Sequence, residues 1–230
     1  MKTIIKSFRY LVILSIIQTL ITGCNDPVTD FGYNGSISGK VSDASGNLIS
    51  GDPNVAGIEV KALGEQDNIP MIMRVKGEGT YANIKLYPQS YKVWITGPVF
   101  SPDPDTIVLN LKEQRKQTQD FVVTPFLTIP SPTLEGSASA TEITINYSIT
   151  GNNGMVPNLR EIICSTTAYP NSTTGNGTYW STKKVTVTDD QGTATISGLT
   201  SGTKYFVRVG ARAGGQSLFN YSDQIVVTTP

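Results

Sequence analysis

The chain has 230 residues, of which 16% are charged, with 18 basic and 18 acidic side chains and no histidine. The absence of histidine excludes Ser-His-Asp and Cys-His catalytic sites and every histidine-ligated zinc site. The even charge balance argues against the basic surface with which proteins bind nucleic acid or anionic membranes.

The N-terminal segment predicts an export signal. The first ten residues carry three basic side chains and no acid, and residues 11–21 are mostly Leu, Ile and Val, as in a secretory signal. This apolar run is too short for a spanning helix, which needs about 20 residues. It ends in Ile21-Thr22-Gly23-Cys24, which resembles the bacterial lipobox. The resemblance implies cleavage before Cys24 and acylation of that residue; the alternative is ordinary secretion with Cys24 unmodified.

The lipobox divides the N-terminal region into a signal peptide (1–23) and a lipidated tether (24–34). Removing the signal takes away three basic residues and no acid, which leaves 15 basic and 18 acidic side chains and a net charge of −3. Several acyl chains would anchor the chain firmly, because each buried methylene contributes about 0.8 kcal/mol.

The two cysteines are not expected to form a disulfide, because acylation would consume the thiol of Cys24. Cys164 follows Ile162 and Ile163 in an apolar strand, so we expect a small buried side chain. A nucleophilic role is not expected, since no histidine is present to activate the thiol.

From Gly35 onward, apolar and polar residues alternate with a period of two, which is typical of β-strands. Tyr91, Val93 and Ile95, for example, are expected to face a core. Seven such segments, separated by turn residues, predict a β-sandwich over residues 35–126.

Four stretches of this half resemble the carboxypeptidase-regulatory-like, or transthyretin-like, β-sandwich. They are Ile37–Asp43, Gly57–Val60, Gly79–Ile84 and Leu86–Val93. The family usually has glycine where this chain has Gln89 or Ser90. The resemblance implies a structural or binding domain and no enzymatic activity.

Residues 127–230 are again strand-rich and predict a second β-sandwich. The stretch Leu199–Val209 resembles the signature of fibronectin type III domains, which implies that Tyr205 closes a corner through a hydrogen bond from its hydroxyl to nearby backbone. The short apolar connection Pro125-Phe126-Leu127 predicts a fixed angle between the sandwiches.

The order of lipobox, regulatory-like domain and fibronectin-like domain resembles a Bacteroides-type family of two-domain outer-membrane lipoproteins of unknown function, associated with glycan-uptake loci. The resemblance implies a lipid anchor in the outer membrane, on its periplasmic face or at the cell surface. It also implies a position near a TonB-dependent transporter and its binding lipoprotein. It implies no activity.

Carboxylates offer no clear catalytic or metal site. A glycosidase needs two carboxylates about 5–10 Å apart in a cleft, and the close pairs here, Asp103 with Asp105 and Asp189 with Asp190, lie in predicted turns. Calcium in such loops is the alternative, although the spacing fits no dense ligand loop. We therefore predict no catalytic residue, no metal and no cofactor.

Aromatic side chains are the remaining candidates for a ligand site. Trp94 shares a strand face with Lys92 and Thr96, so it points outward, where it could stack on a sugar ring or pack under a loop or the second sandwich. Two further segments, Tyr179-Trp180 and Phe219-Asn220-Tyr221, would form a platform or serve as edge and core residues. The candidate ligand-binding aromatics are Trp94, Tyr179, Trp180, Phe219 and Tyr221.

Two functions fit this sequence. The first is a non-enzymatic accessory binding lipoprotein of a glycan-uptake system, for which the candidate aromatics should be exposed. The second is a structural spacer or adhesin-like stalk without a small ligand, for which they should be buried and the domain connection rigid. No nucleic-acid partner is expected.

Overall fold

A computed structural model describes residues 32–52, 57–172 and 182–230. The predicted signal peptide, Cys24, Tyr179 and Trp180 lie outside these residues. From Asn34 to Pro230 the chain forms one compact unit. The described ranges hold strands and turns and no α-helix, so the all-β prediction is confirmed. In the same ranges there is no helix with the length and apolar character needed to cross a membrane.

Two sheets dominate the N-terminal half. The strands described there are β1 (Gly35–Ser42), β2 (Glu59–Gly64), β3 (Met71–Arg74), β4 (Thr80–Leu86), β5 (Ser90–Thr96), β6 (Val99–Phe100), β7 (Thr106–Asn110), β8 (Lys116–Thr118), β9 (Phe121–Val122) and β10 (Thr124–Pro125). One sheet has the order β4–β1–β8, with β9 also paired to β1, and the other has the order β3–β2–β5–β7. Strands β8 and β9 run parallel to β1, whereas the neighbours within the second sheet are antiparallel.

The two sheets share one hydrophobic core, and residue alternation decides which side chains enter it. Strand β5 buries Tyr91, Val93 and Ile95, and β1 buries Ile37 and Val41. A register shift of one residue would expose each set to solvent. The two-sheet sandwich predicted for this half is therefore confirmed.

The C-terminal half is a second sandwich. Its described strands are β11 (Leu127–Thr128), β12 (Thr133–Leu134), β13 (Glu142–Ser148), β14 (Thr150–Gly151), β15 (Pro157–Ser165), β16 (Lys183–Val187), β17 (Gln191–Ser197), β18 (Lys204–Ala213), β19 (Phe219–Tyr221) and β20 (Ile225–Thr228). A three-stranded sheet, β12–β13–β17, faces a five-stranded sheet, β16–β15–β18–β19, in which β20 also pairs with β18.

Two predictions about single residues of this second sandwich are confirmed. Cys164 is a free thiol with none of its surface exposed. The hydroxyl of Tyr205 accepts a hydrogen bond from the backbone N–H of Thr200 at 3.0 Å, which is the corner that the sequence predicts.

Buried polar contacts join the two halves at a junction. The first core ends at Val123 and the second begins at Leu127. Asn220 bonds to residues of both halves: its Oδ1 accepts a hydrogen bond from the N–H of Leu127 at 3.0 Å, and its Nδ2 donates one to the carbonyl of Pro98 at 2.9 Å. The domain limits at residues 126 and 127 stay a prediction, since both cores belong to one compact unit.

Candidate ligand-binding surface

Trp94 lies on the outer face of the β3–β2–β5–β7 sheet and is half-buried. Its inward neighbours, Val93 and Ile95, enter the core, so the pleat directs the indole to the opposite side. Lys61 on β2 and Thr106 on β7 lie directly opposite Trp94 in the ladder. Directly opposed side chains are about 5 Å apart, so a cation and a hydroxyl flank the ring.

The same face carries exposed apolar side chains around the indole. Ile72 continues the Trp94 row across β3 and is 54% exposed. In the next row, Lys92 lies between Leu63 and Val108, and Val108 is 65% exposed. We call the seven residues of these two rows the Trp94 surface: Lys61, Leu63, Ile72, Lys92, Trp94, Thr106 and Val108.

A depression of about 380 Å³ continues one end of the Trp94 surface. It is lined by Leu63, Gly64, Glu65, Asp67, Ser90, Tyr91, Lys92 and Val108. We call it the Lys92 depression. Its volume falls in the range of about 300–1,000 Å³ that is typical of small-molecule sites.

The buried amide of Gln89 fixes the wall of the Lys92 depression. Its Nε2 donates hydrogen bonds to Oδ2 of Asp67 at 2.9 Å and to the hydroxyl of Tyr91 at 3.3 Å. The Gln89 amide packs so close to the backbone of Gly64 that a Cβ on Gly64 would lie 2.0 Å from Nε2. The departure from glycine at Gln89 thus has a physical role, because this amide holds Asp67 in place.

Phe219 and Tyr221 lie on a different sheet, where they belong to an interleaved stack of rings and guanidinium groups. The two rings stack with centroids 5.7 Å apart. Arg212 lies over Phe219 at 5.9 Å, and Arg208 lies over Tyr221 at 4.1 Å. Described residues make no ring contact with Trp94, so the structure does not bring it together with Phe219 and Tyr221.

Arg208 is the centre of this stack and is fully buried at the junction. Its Nη2 donates to Ser50 Oγ at 3.1 Å and to the carbonyl of Gly51 at 3.3 Å, both in the N-terminal half. Burial lowers the pKa of Arg208 to about 10, with the nearby Tyr221 and Asp52 opposing the shift, so the group remains a cation at neutral pH. Burial also disfavours the charged form of Tyr221, and it therefore raises the pKa of that phenol. Arg208 and Tyr221 are therefore packed inside the molecule, which favours a structural role for Tyr221 over ligand contact, whereas Phe219 and Arg212 are partly exposed.

A second concavity, of about 320 Å³, lies at the junction and includes Tyr221 in its wall. Its polar groups are largely used within the chain. Both amide atoms of Asn220 bind backbone, and the Asp43 carboxylate accepts hydrogen bonds from Ser45 and Asn47. Although burial acts to raise the pKa of Asp43, these hydrogen bonds outweigh it and lower that pKa.

The paired carboxylates lie in solvent, as the sequence predicts. Asp103, Asp105, Asp189 and Asp190 are all exposed, and Asp190 forms an ion pair with Arg160 at 2.5 Å. Among the described residues, no group of three or more Cys, Asp or Glu side chains could hold a metal ion.

Sequence reasoning placed Trp94 on the outer face but missed the Lys92 depression. The signals that mark it are Gly64 and Gln89, and each acquires meaning only when β2 and β5 are paired. Sequence reasoning also missed Arg208 as a junction residue. The sequence signal for it is its place between Val207 and Val209. These two valines face the core, so Arg208 points to the opposite face of β18, which is also buried.

Solved structures with the same fold include proteins from Bacteroides and Parabacteroides species. A DUF3823 family protein from Bacteroides ovatus is 21% identical with a TM-score of 0.66, and the match covers 86% of this chain and 100% of that one. A DUF3823 family protein from Parabacteroides merdae is 16% identical with a TM-score of 0.66, covering 84% and 98%. A Bacteroides uniformis protein described as a "putative carbohydrate binding protein" is 18% identical with a TM-score of 0.64, covering 86% and 100%.

These identities support a shared fold. The chain has the fold of DUF3823 family proteins, in agreement with the predicted resemblance to a Bacteroides-type all-β family of unknown function. No protein-family model matches the chain, and no curated protein matches it.

Proposed function

We propose that this protein is a non-enzymatic, lipid-anchored glycan-binding protein, and that it binds sugar on the Trp94 surface. The observation that carries the proposal is the outward, half-buried indole of Trp94 between the ammonium of Lys61 and the hydroxyl of Thr106. A pyranose ring has an apolar face and a rim of hydroxyl groups. It can therefore stack on an indole while its hydroxyls bond to flanking polar groups.

The flanking groups leave bonding capacity for a ligand. Among the described residues, the side chain of Thr106 makes no hydrogen bond, and the side chain of Lys92 makes neither a hydrogen bond nor an ion pair. Nζ of Lys61 lies 3.8 Å from Oε2 of Glu59, at the edge of ion-pair distance, and both side chains are partly buried. A sugar hydroxyl can thus replace water at these groups without breaking a strong contact.

The likeness to the Bacteroides uniformis protein named for carbohydrate binding supports this proposal. The proposed location is the outer membrane, with acylated Cys24 as the anchor and residues 24–34 as the tether. The proposed role is that of an accessory component beside a TonB-dependent transporter and its binding lipoprotein, where it would hold glycan near the import site.

The test joins glycan binding to cell location. Purified wild-type protein should bind members of a glycan array, and Trp94→Ala should weaken the best ligand at least tenfold, equivalent to about 1.4 kcal/mol. Val226→Ala, which truncates an exposed residue of the second sandwich, is the control and should bind normally. In cells, the wild-type protein should sediment with outer membranes and co-purify with a transporter. Failure to bind any glycan, or full binding by Trp94→Ala, would overturn the glycan role.

A structural spacer is the second candidate, and the junction favours it. Buried contacts from Asn220 and Arg208 tie the halves together, as a stalk of fixed shape requires. A spacer would place Trp94 beneath a partner rather than a sugar. Iodide quenching of Trp94 fluorescence in the purified Trp180→Phe variant, with and without glycan, separates the two: protection by glycan indicates a ligand site.

A further inference from the structure

We infer that the Lys92 depression is a second sugar subsite, and that the ligand is an uncharged oligosaccharide lying along β5 from Trp94 to Ser90. This inference rests on the proposed glycan binding at Trp94. It adds Asp67 as a ligand-binding residue and assigns Lys92, which belongs to both features, to the second sugar unit.

The Trp94 surface and the Lys92 depression are continuous along one strand. Trp94, Lys92 and Ser90 are successive outward residues of β5, so Trp94 and Ser90 are about 13 Å apart along the strand. Leu63 and Val108 flank Lys92 and belong to both features. One sugar ring stacked on Trp94 cannot also fill the depression, whereas a chain of several sugar units can occupy both.

The polar groups of the depression are held ready for hydroxyl groups. Oδ2 of Asp67 accepts a hydrogen bond from Gln89 Nε2, and Oδ1 of Asp67 accepts none from a described residue. Because Gln89 is only 4% exposed, it orients this carboxylate before a ligand arrives. Lys92 offers three donors and Asp67 offers acceptors, which suits a hydroxyl group, since a hydroxyl both donates and accepts.

The charges of the depression favour an uncharged ligand. Lys92 shares the space with two carboxylates, Asp67 and Glu65, and Glu65 is paired with Lys112. A uronate or sulfate placed near Lys92 would also approach Asp67. A neutral hydroxyl carries no such penalty.

The experiment measures binding against ligand length by calorimetry, with the best neutral glycan from the array as probe. Wild-type protein should bind the tetrasaccharide at least tenfold more tightly than the monosaccharide. Asp67→Asn, which lies outside the Trp94 surface, should lose most of this gain while it binds the monosaccharide as wild type does, and Lys92→Met should also lose most of the gain for the tetrasaccharide. Lys85→Met, which removes an exposed lysine from β4 on the other sheet, is the matched control and should keep the full gain. Binding should change less than about twofold when salt is raised, because no net ligand charge is neutralised.

The outcomes separate this inference from the function on which it rests. If Trp94→Ala abolishes binding while Lys92→Met and Asp67→Asn bind the tetrasaccharide like wild type, the second subsite is wrong and the proposed function stands. Equal affinity for monosaccharide and tetrasaccharide also overturns the subsite. Binding that collapses with salt overturns the uncharged ligand. If no glycan binds, both proposals fail. Circular dichroism and thermal melts of each variant check that the fold is intact.

Discussion

At the scale of single residues, the thiol of Cys164 is expected to be unreactive because it is buried. It has no exposed surface, and burial raises its pKa to about 12 from an ordinary value of 9.0. The thiolate is the reactive form, so iodoacetamide should not modify native Cys164 at pH 8 and should modify it fully in urea. Peptide mass spectrometry measures both, with Cys24 read on a separate peptide. Rapid labelling of Cys164 in the native protein would contradict this prediction.

The same shift sets the direction of a pH effect. The folded state keeps the Cys164 proton to a higher pH than the unfolded state does, so folding binds protons between pH 9.0 and about 12. The contribution of Cys164 to stability is therefore complete below pH 9 and declines as the pH rises through that window.

Some residues could be placed from the sequence because their environment is local, and others could not. Cys164 and Trp94 are fixed by period-two alternation within their own strands. Arg208 is different, since its hydrogen-bond partner Ser50 lies 158 residues away in the chain. Gln89 is an intermediate case: its partner Asp67 is 22 residues away and is brought near only by the pairing of β2 with β5.

At the scale of the strand, alternation predicts faces but not neighbours. The inward set Tyr91, Val93 and Ile95 is correct because core burial selects one face of β5. The parallel pairing of β1 with β8 and β9 left no such mark in the sequence. Those strands are only three and two residues long, so their side chains carry too little pattern to specify partners. Alternation likewise placed Trp94 and Lys92 on the outer face of β5, whereas the Lys92 depression depends on the pairing of β5 with β2 and was not predictable.

The corner at Tyr205 provides a prediction about a single element. Replacing Tyr205 by Phe keeps the buried ring and removes only the hydroxyl that accepts from Thr200 N–H at 3.0 Å. The loss of this hydrogen bond should lower the free energy of unfolding by about 1 kcal/mol. Urea denaturation with an unchanged m-value measures the loss.

The control for this corner is Thr188→Val, because Thr188 is exposed and a hydrated hydroxyl costs little to remove. Equal stability of Tyr205→Phe and the wild-type protein would show that the corner hydrogen bond does not stabilise the fold.

At the scale of the whole molecule, the junction decides whether the chain behaves as one body. It is made of side chains whose partners lie in the other half: Arg208 reaches Ser50, Asn220 reaches Pro98, and Asn171 donates to Asp52 at 3.0 Å. The ring of Tyr169 closes the contact, since a Cβ on Gly77 would lie 2.0 Å from it. Because these groups are buried, separating the halves would leave several of them without partners, at a cost of about 1–3 kcal/mol each.

The junction should therefore make the two sandwiches unfold together, and Asn220→Asp should uncouple them. In the wild-type protein, calorimetry should show one transition for both cores. The aspartate would still accept from Leu127 N–H, but its second oxygen would lie opposite the Pro98 carbonyl, where the amide Nδ2 now donates at 2.9 Å, and would be buried without a donor. We expect the free energy of unfolding to fall by about 2–4 kcal/mol and calorimetry to show two resolved transitions.

Asn158→Asp, at an exposed position on β15, is the control and should melt as wild type does. Two transitions in the wild-type protein, or one unshifted transition in Asn220→Asp, would show that the cores are not coupled through this residue. Coupled cores would hold the first sandwich, and with it the Trp94 surface, at a fixed angle to the second, as a stalk requires.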